Sequence, residues 1–324
     1  MWPRPEYGLR GSGEKGRGGR VDGWEWDETL FAGAAPYYAR GRLPYAPGLA
    51  DVLAEALNLD GRGRLIDVGC GPGTLALTLA PLFGEVVGLD PDPEMIAEAG
   101  RGAVERGVAA RARWVRARAE ELPAGLGTFT VAVFAQSFHW MDRDLVATTV
   151  KGMLCPGGAL VHVSDLKTED RTTEDRPVDM PADRIADRTV GRAMATGGLP
   201  HPPPPHEAVA DLVRHYLGSV RRAGQGVLPQ GTPGGEAAVY ARAGFTGPHR
   251  YVVPGGQPLV RSADDIVAGV FSLSSSAPHL FGTHRDRFEA DLRGLLRDAS
   301  TSGRFSERVP STEVFVWRNG TATV

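Results

Sequence analysis

Two aspartates and a run of glycines carry the first chemical signal of this sequence. Asp67 sits inside the apolar run Leu65-Ile66-Asp67-Val68, and glycines follow at 69, 71 and 73. Asp90 ends a second apolar run, Val86-Val87-Gly88-Leu89, and Pro91 follows it. Glycines at this spacing let the backbone turn sharply and leave no side chain between it and a ligand. A carboxylate at the end of a second strand suits a bidentate bond to two ribose hydroxyls. The set points to a nucleotide-like ligand on a glycine loop. A dinucleotide loop has the pattern G-x-G-x-x-G/A, and its last position here is Thr74. No Lys-Ser/Thr pair follows the loop, which excludes a phosphate-cradling P-loop.

His139 is the sharpest candidate for acid–base chemistry. It follows the apolar run that starts at Phe129, at the mouth where a reacting group would sit. A neutral imidazole there could take a proton from N–H, O–H or an activated carbon. The alternative is that His139 and Trp140 only shape the floor of a pocket.

These residues need strands and helices to hold them. The run at 65–68 reads as a buried parallel strand, and Leu75–Ala80 reads as the start of a helix. Leu49, Val52, Leu53, Ala56 and Leu57 form one apolar helical face before the first strand. Helices are expected over Pro93–Arg106 and Asp144–Leu154, with strands at 112–117 and Leu160–Val163. Strands alternating with helices predict a doubly wound parallel sheet, with its ligand at the carboxyl ends of the strands.

The glycine loop resembles motif I of the class I S-adenosylmethionine (SAM) methyltransferases. Four further segments resemble the same family, in order. They are the strand ending at Asp90, Arg118-Ala119-Glu120-Glu121-Leu122-Pro123, the run Phe129–Trp140 with its Q-x-x-H-W ending, and Leu154-Cys155-Pro156-Gly157-Gly158. The likeness covers roughly residues 60–165 and is to the small-molecule, type 11-like branch. It implies an α/β, Rossmann-like, doubly wound and mostly parallel seven-stranded sheet with a helical cap insertion. It implies SAM as cofactor, S-adenosylhomocysteine as product, and cofactor contacts from Asp67, Gly69, Cys70, Gly71, Gly73, Asp90, Pro91, Ala119, Glu120 and Gln136. Asp67 would bond the methionine amino group and Glu120 the adenine. Arg118 stands where many relatives carry Asp. The segment Phe31–Tyr45 resembles the family's N-terminal lid, so Tyr37, Tyr38 and Arg42 become candidates for the cofactor carboxylate or the acceptor. With Phe138, His139 and Trp140, the two tyrosines make up the expected acceptor pocket. A flat, aromatic or hydrophobic small molecule, indole types among them, suits such a pocket.

The outer regions are less informative. Residues 1–28 are rich in Gly, Arg and Glu without periodicity and are expected to be a disordered tail. Residues 29–165 form the expected lid and SAM-binding core. Residues 166–245, with dense charge and the run Pro202–Pro205, are expected to be a helical cap that binds the acceptor. Residues 246–324 are expected to complete the sheet. Net charge is −3, so nothing attracts a nucleic-acid backbone in bulk. No apolar run approaches the ~18–20 residues of a membrane span. Cys70 and Cys155 make no disulfide framework, and no cluster has metal-ligand spacing. The chain is expected to be a cytoplasmic, metal-independent monomer or homodimer that transfers a methyl group to a small molecule. Two alternatives stay open: a SAM-binding enzyme that catalyses a cyclisation or rearrangement, and a non-catalytic SAM-binding protein.

Overall fold

A computed structural model describes residues 27–166, 198–224, 226–228 and 234–320. Nearly all of the expected tail at 1–28, and residues 167–197 of the expected cap, lie outside the described residues. The elements run α1 (Ala35–Gly41), α2 (Leu49–Leu57), β1 (Arg64–Val68), α3 (Thr74–Leu79), β2 (Glu85–Asp90), α4 (Pro93–Glu105), β3 (Ala112–Arg116), β4 (Phe129–Ala135), α5 (Arg143–Met153) and β5 (Leu154–Asp165). After the undescribed stretch come α6 (His206–Leu217), the two short strands β6 (Arg222–Ala223) and β7 (Gly226–Val227), and α7 (Glu236–Arg242). The chain closes with β8 (Thr246–Val253), β9 (Pro258–Ser262), α8 (Ala263–Phe271), α9 (Arg285–Ala299), β10 (Arg304–Arg308) and β11 (Thr312–Arg318).

The sheet has seven strands in the order β3-β2-β1-β4-β5-β11-β8. Pairs among β1 to β5 are parallel, and β11 runs antiparallel to both β5 and β8. This is the expected sheet, including its single reversed strand. The inner strands are apolar at nearly every position because both faces are covered. One face sets Ile66, Val87, Ala132 and Phe134 against Val146 and Val150 of α5 and Tyr240 of α7. The other sets Leu65, Val86, Val131 and Val161 against Leu49, Leu53, Leu75 and Leu79. Each fully buried Leu, Val or Phe here contributes about 1.5–3 kcal/mol.

Caps fix where the helices begin. Asp92 accepts hydrogen bonds from the N–H groups of Glu94 and Met95 to start α4, with Pro93 in the first turn. Asp142 does the same for α5 through the Leu145 N–H. Ser262 and Asp265 form a reciprocal capping box at α8.

A second layer stands outside the sheet. Val267 and Phe271 of α8, Phe288 and Leu292 of α9, and the turn residue Phe281 form one apolar cluster. Tyr37 of α1 and the α6 stripe of Val209, Leu212, Val213 and Tyr216 pack on it. β9 and β10 pair antiparallel as its hairpin. The expected divisions at 165 and 245 do not follow this packing. Tyr240 of the expected cap lies in the core of the sheet, with its ring centroid 4.6 Å from that of Phe138. Residues 258–308, expected to complete the sheet, supply much of the outer layer instead. The apolar faces of α8 and α9 are turned toward each other and toward α1 and α6, which leaves only β8 and β11 for the sheet.

Candidate functional site

The cleft opens at the carboxyl ends of β1, β2 and β4. It encloses about 660 Å³ of space, part of it open to solvent, and Gly69, Gly71, Asp90, Pro91, Met95, Ala119, Glu120, Gln136, Tyr38 and Trp140 are among its lining. Leu30 and Phe31, just ahead of α1, complete its outer wall.

The glycine loop is tied to the end of β2. The N–H groups of Gly69 and Cys70 both donate to the Leu89 carbonyl, at 2.8 and 3.0 Å. Gly71 N–H donates to Asp90 Oδ2 at 2.8 Å, and Asp92 N–H donates to Asp90 Oδ1 at 3.0 Å. Gly69, Gly71 and Gly73 all have positive φ, which favours glycine. Their surroundings differ. A Cβ on Gly71 would meet nothing within 4 Å, so its open side faces the cleft. A Cβ on Gly69 would fall 2.6 Å from the Ser137 Cβ, and one on Gly73 would fall 2.6 Å from the indole of Trp114. Gly69 and Gly73 are therefore also needed for close packing of the loop.

Two carboxylates stand near this loop, both raised. Burial pushes Asp90 up to about 6, against the stabilising N–H bonds from Asp92 and Gly71. Burial pushes Asp67 up to about 7, against one backbone hydrogen bond at Ala76 and with a further upward push from the charge of Asp90. Asp67 is 1% exposed, and its Oδ1 has no partner among the described residues. Burial of its hydroxyl pushes Tyr45 well above the ordinary range, with smaller upward pushes from Tyr38, Asp67 and Asp165 and a downward one from Arg42. Arg42 donates from Nη2 to the Ser272 carbonyl at 3.1 Å and lies over the Tyr38 ring, while its buried Nε has no partner among the described residues. Arg42 thus stands against Tyr38, and a buried acceptor on Asp67 and a buried donor on Arg42 lack partners among the described residues, although neither residue is among those lining the cleft. Their chemistry matches the ammonium and carboxylate of a free amino-acid end.

At the other end, Glu120 accepts from the Asp142 N–H at 2.9 Å and pairs with Arg118 at 3.3 Å. Its carboxylate is already engaged at the cleft wall. Gln136 has φ +57°, a left-handed conformation uncommon for a residue with a side chain, and it projects into the cleft right after β4.

Several expected residues are placed elsewhere. Tyr37 turns away, with its ring 5.1 Å from Phe271 and its hydroxyl accepting from Arg285 at 2.6 Å. Phe138 is fully buried against Phe134 and Tyr240 and reaches no cleft. His139 packs on Trp140, centroids 4.7 Å apart, and is not among the residues lining the cleft. Cys70 is buried under the loop, where burial raises its thiol well above the ordinary range. The sequence reading missed Leu30, Phe31, Ser137 and Met141. Of these, Phe31 lay inside the quoted lid segment. Its ring sits edge-on to Tyr38 and Trp140, at 6.3 and 6.4 Å.

Comparison with known proteins agrees with this geometry. Residues 65–158 match the family model described as a methyltransferase domain. An uncharacterized methyltransferase of Mycobacterium tuberculosis is 33% identical over 139 residues, 43% of this chain and 53% of that protein. A ubiquinone biosynthesis O-methyltransferase of Rhizobium etli is 36% identical over 98 residues, 30% of this chain and 39% of that one. The chain spans about half or less of the length of these curated relatives. Among solved structures, a putative type II methyltransferase from Anaeromyxobacter dehalogenans is 22% identical with a TM-score of 0.48, covering 86% of this chain and 98% of that one. A SAM-dependent methyltransferase from Thiobacillus denitrificans in complex with S-adenosylhomocysteine is 17% identical with a TM-score of 0.44, covering 88% and 96%.

Proposed function

We propose that this chain, whose residues 65–158 match a methyltransferase-domain model, is a class I SAM-dependent methyltransferase that transfers a methyl group to a small, flat, largely apolar acceptor. The observation that carries the acceptor class is the wall of Phe31, Tyr38 and Trp140 around the mouth of a cleft floored by the glycine loop. Aromatic faces and edges hold a flat apolar molecule and exclude water.

The residues present fit the cofactor. Asp90 would hold the ribose hydroxyls, and its two oxygens keep lone pairs free beside the bonds from Gly71 and Asp92. Asp67 and Arg42 would hold the amino and carboxylate ends, which supplies partners for the two buried atoms that lack them. Met95, Ala119 and Pro91 would line the adenine side. SAM brings an electrophilic methyl group, and the protein's part is binding, alignment and exclusion of water.

The acceptor is held by the aromatic wall and the Gln136 amide. No proton step is assigned to His139 in this reading, because its ring packs on Trp140 outside the cleft lining. An electron-rich carbon or a neutral amine fits such a site, since its proton can leave to water after transfer. Among the described residues no helix is long and apolar enough to cross a membrane. With a net charge of −3, this suits a cytoplasmic enzyme acting on small molecules, in specialised metabolism by this reading, rather than on nucleic acid.

The test is to incubate the full chain with methyl-labelled SAM and a panel of indoles, phenols, aromatic amines and apolar acids, together with sugars, peptides and nucleic acids. Label should appear in a flat apolar product heavier by one methylene. Label only in sugars, peptides or nucleic acid would overturn the acceptor class. A product of unchanged mass would favour a rearrangement over methyl transfer.

A further inference from the structure

The short helix α1 carries Tyr38 into the cleft and leads directly to Arg42, yet its seven residues are too few to hold themselves in place. Its support comes from behind. Gly41 crosses α8 so closely that a Cβ on it would fall 2.3 Å from the backbone carbon and oxygen of Ala268. At that crossing, Arg261 of β9 donates from Nη2 to the Gly41 carbonyl at 2.7 Å and to the Asp265 carbonyl at 2.5 Å. Its Nη1 donates to Glu307 Oε2 of β10 at 2.9 Å. Arg261 is only 7% exposed. The other ties on this side of α1 are weaker holds. Arg40 pairs with Asp265 but its side chain is 53% exposed, where water screens the pair. A planar guanidinium that is buried and engaged through both of its Nη atoms fixes geometry far better.

Resting on the cofactor reading above, we propose that Arg261 is a positioning residue for cofactor capture. From the outer layer it holds the end of α1 so that Tyr38 and Arg42 stay over the amino-acid end of the bound cofactor. Arg261 does not line the cleft and touches no cofactor itself. Loss of this hold lets the end of α1 shift. The penalty falls on whatever Tyr38 and Arg42 grip and spares what Asp90, Met95 and Ala119 grip.

That asymmetry gives the test. S-adenosylhomocysteine has the amino-acid end, while 5′-methylthioadenosine keeps the adenosine and thioether but lacks it. Calorimetry on the full chain should show that Arg261→Gln weakens S-adenosylhomocysteine about tenfold or more, with methylthioadenosine within about twofold of wild type. Arg261→Lys keeps the charge but not the fork and should fall between the two. Gly41→Ala, which pushes α1 off α8, should repeat the selective loss. An equal loss for both ligands would reduce Arg261 to a general fold residue, and no loss for either would remove the role. If Arg261→Gln does not fold, hydrogen exchange on the wild type decides. The α1 amides should gain protection on adding S-adenosylhomocysteine but not on adding methylthioadenosine, and equal protection by both would overturn the proposal. A wild type that binds neither ligand would remove the cofactor reading itself, and this proposal with it.

Discussion

Asp90 and Gly71 are 19 positions apart and are joined at 2.8 Å, the Gly71 N–H donating to Asp90 Oδ2. The bond makes the glycine loop and the end of β2 one unit. Asp92 N–H holds the other oxygen at 3.0 Å, so the carboxylate is oriented before any ligand arrives. Such preorganisation lowers the ordering cost of binding. Asp90→Ala removes both the ligand contact and the anchor of the loop. S-adenosylhomocysteine affinity should fall by roughly 2–3 kcal/mol, about 30- to 150-fold. Asp90→Asn keeps one acceptor oxygen and should lose less. Calorimetry that finds Asp90→Ala unchanged would contradict the assignment.

Asp67 should make both stability and binding depend on pH, in opposite senses. In the folded chain its pKa is raised from 3.8 to about 7, chiefly by burial. The folded state therefore holds a proton that the unfolded chain gives up. The stability this confers is full below about pH 4 and is lost as pH rises through 7. Asp67→Asn lacks this dependence, so its stability relative to wild type should improve between pH 5 and pH 8. The upper bound over this window is on the order of 2.5 kcal/mol. Urea unfolding at the two pH values measures the difference. Binding runs the other way, because an ammonium group needs the ionised carboxylate. Wild-type affinity for S-adenosylhomocysteine should drop about tenfold per unit below pH 7, and the Asn variant should be flat down to about pH 6, where protonation of Asp90 begins to weaken both proteins. A flat wild-type profile between pH 5 and 7 would sink the pairing.

Gln136 offers a separation of stability from activity. At φ +57° it occupies a conformation that glycine adopts freely. Strain of this kind costs about 1–3 kcal/mol, and Gln136→Gly relieves it while adding unfolded-chain entropy. The variant should stay within about 1 kcal/mol of wild type or exceed it. Turnover should nonetheless fall, since the amide proposed to hold the acceptor is gone. Equal turnover at equal melting temperature would show that the side chain has no role.

His139 is expected to be dispensable as a base. Its ring rests on Trp140 and is not among the residues lining the cleft. His139→Asn should keep substantial turnover, with the loss mainly in the acceptor KM and with no change in pH dependence. Turnover below about one per cent of wild type, with acceptor binding intact, would restore the imidazole to the chemistry.

The glycine loop and Asp90 were legible because both signals are local. A strand end, a turn and a helix start fall within a dozen residues, and their chemistry needs fixed residue types. The doubly wound parallel sheet was legible for a similar reason, through the repeated alternation of apolar runs and amphipathic helices. The lid was not. Tyr37 and Tyr38 are neighbours in sequence, but one helical step of about 100° sends the first toward Phe271 and the second into the cleft. Which of them faces inward depends on how α1 docks on α8, and that depends on Gly41, Ala268 and Arg261, far apart in the chain. Phe31 was missed as a wall residue for the same reason. Helices α8 and α9 form the outer layer for a reason of the same kind, since periodicity marks an apolar face without saying what it will cover.

The central claim is that this cleft binds SAM at the glycine loop. Titration of the full chain with SAM at pH 8 tests it most directly. The account predicts saturable one-to-one binding that S-adenosylhomocysteine displaces, that Asp90→Ala weakens strongly, and that NADH does not compete for. No binding of SAM, or binding that Asp90→Ala leaves untouched while NADH displaces it, would contradict it.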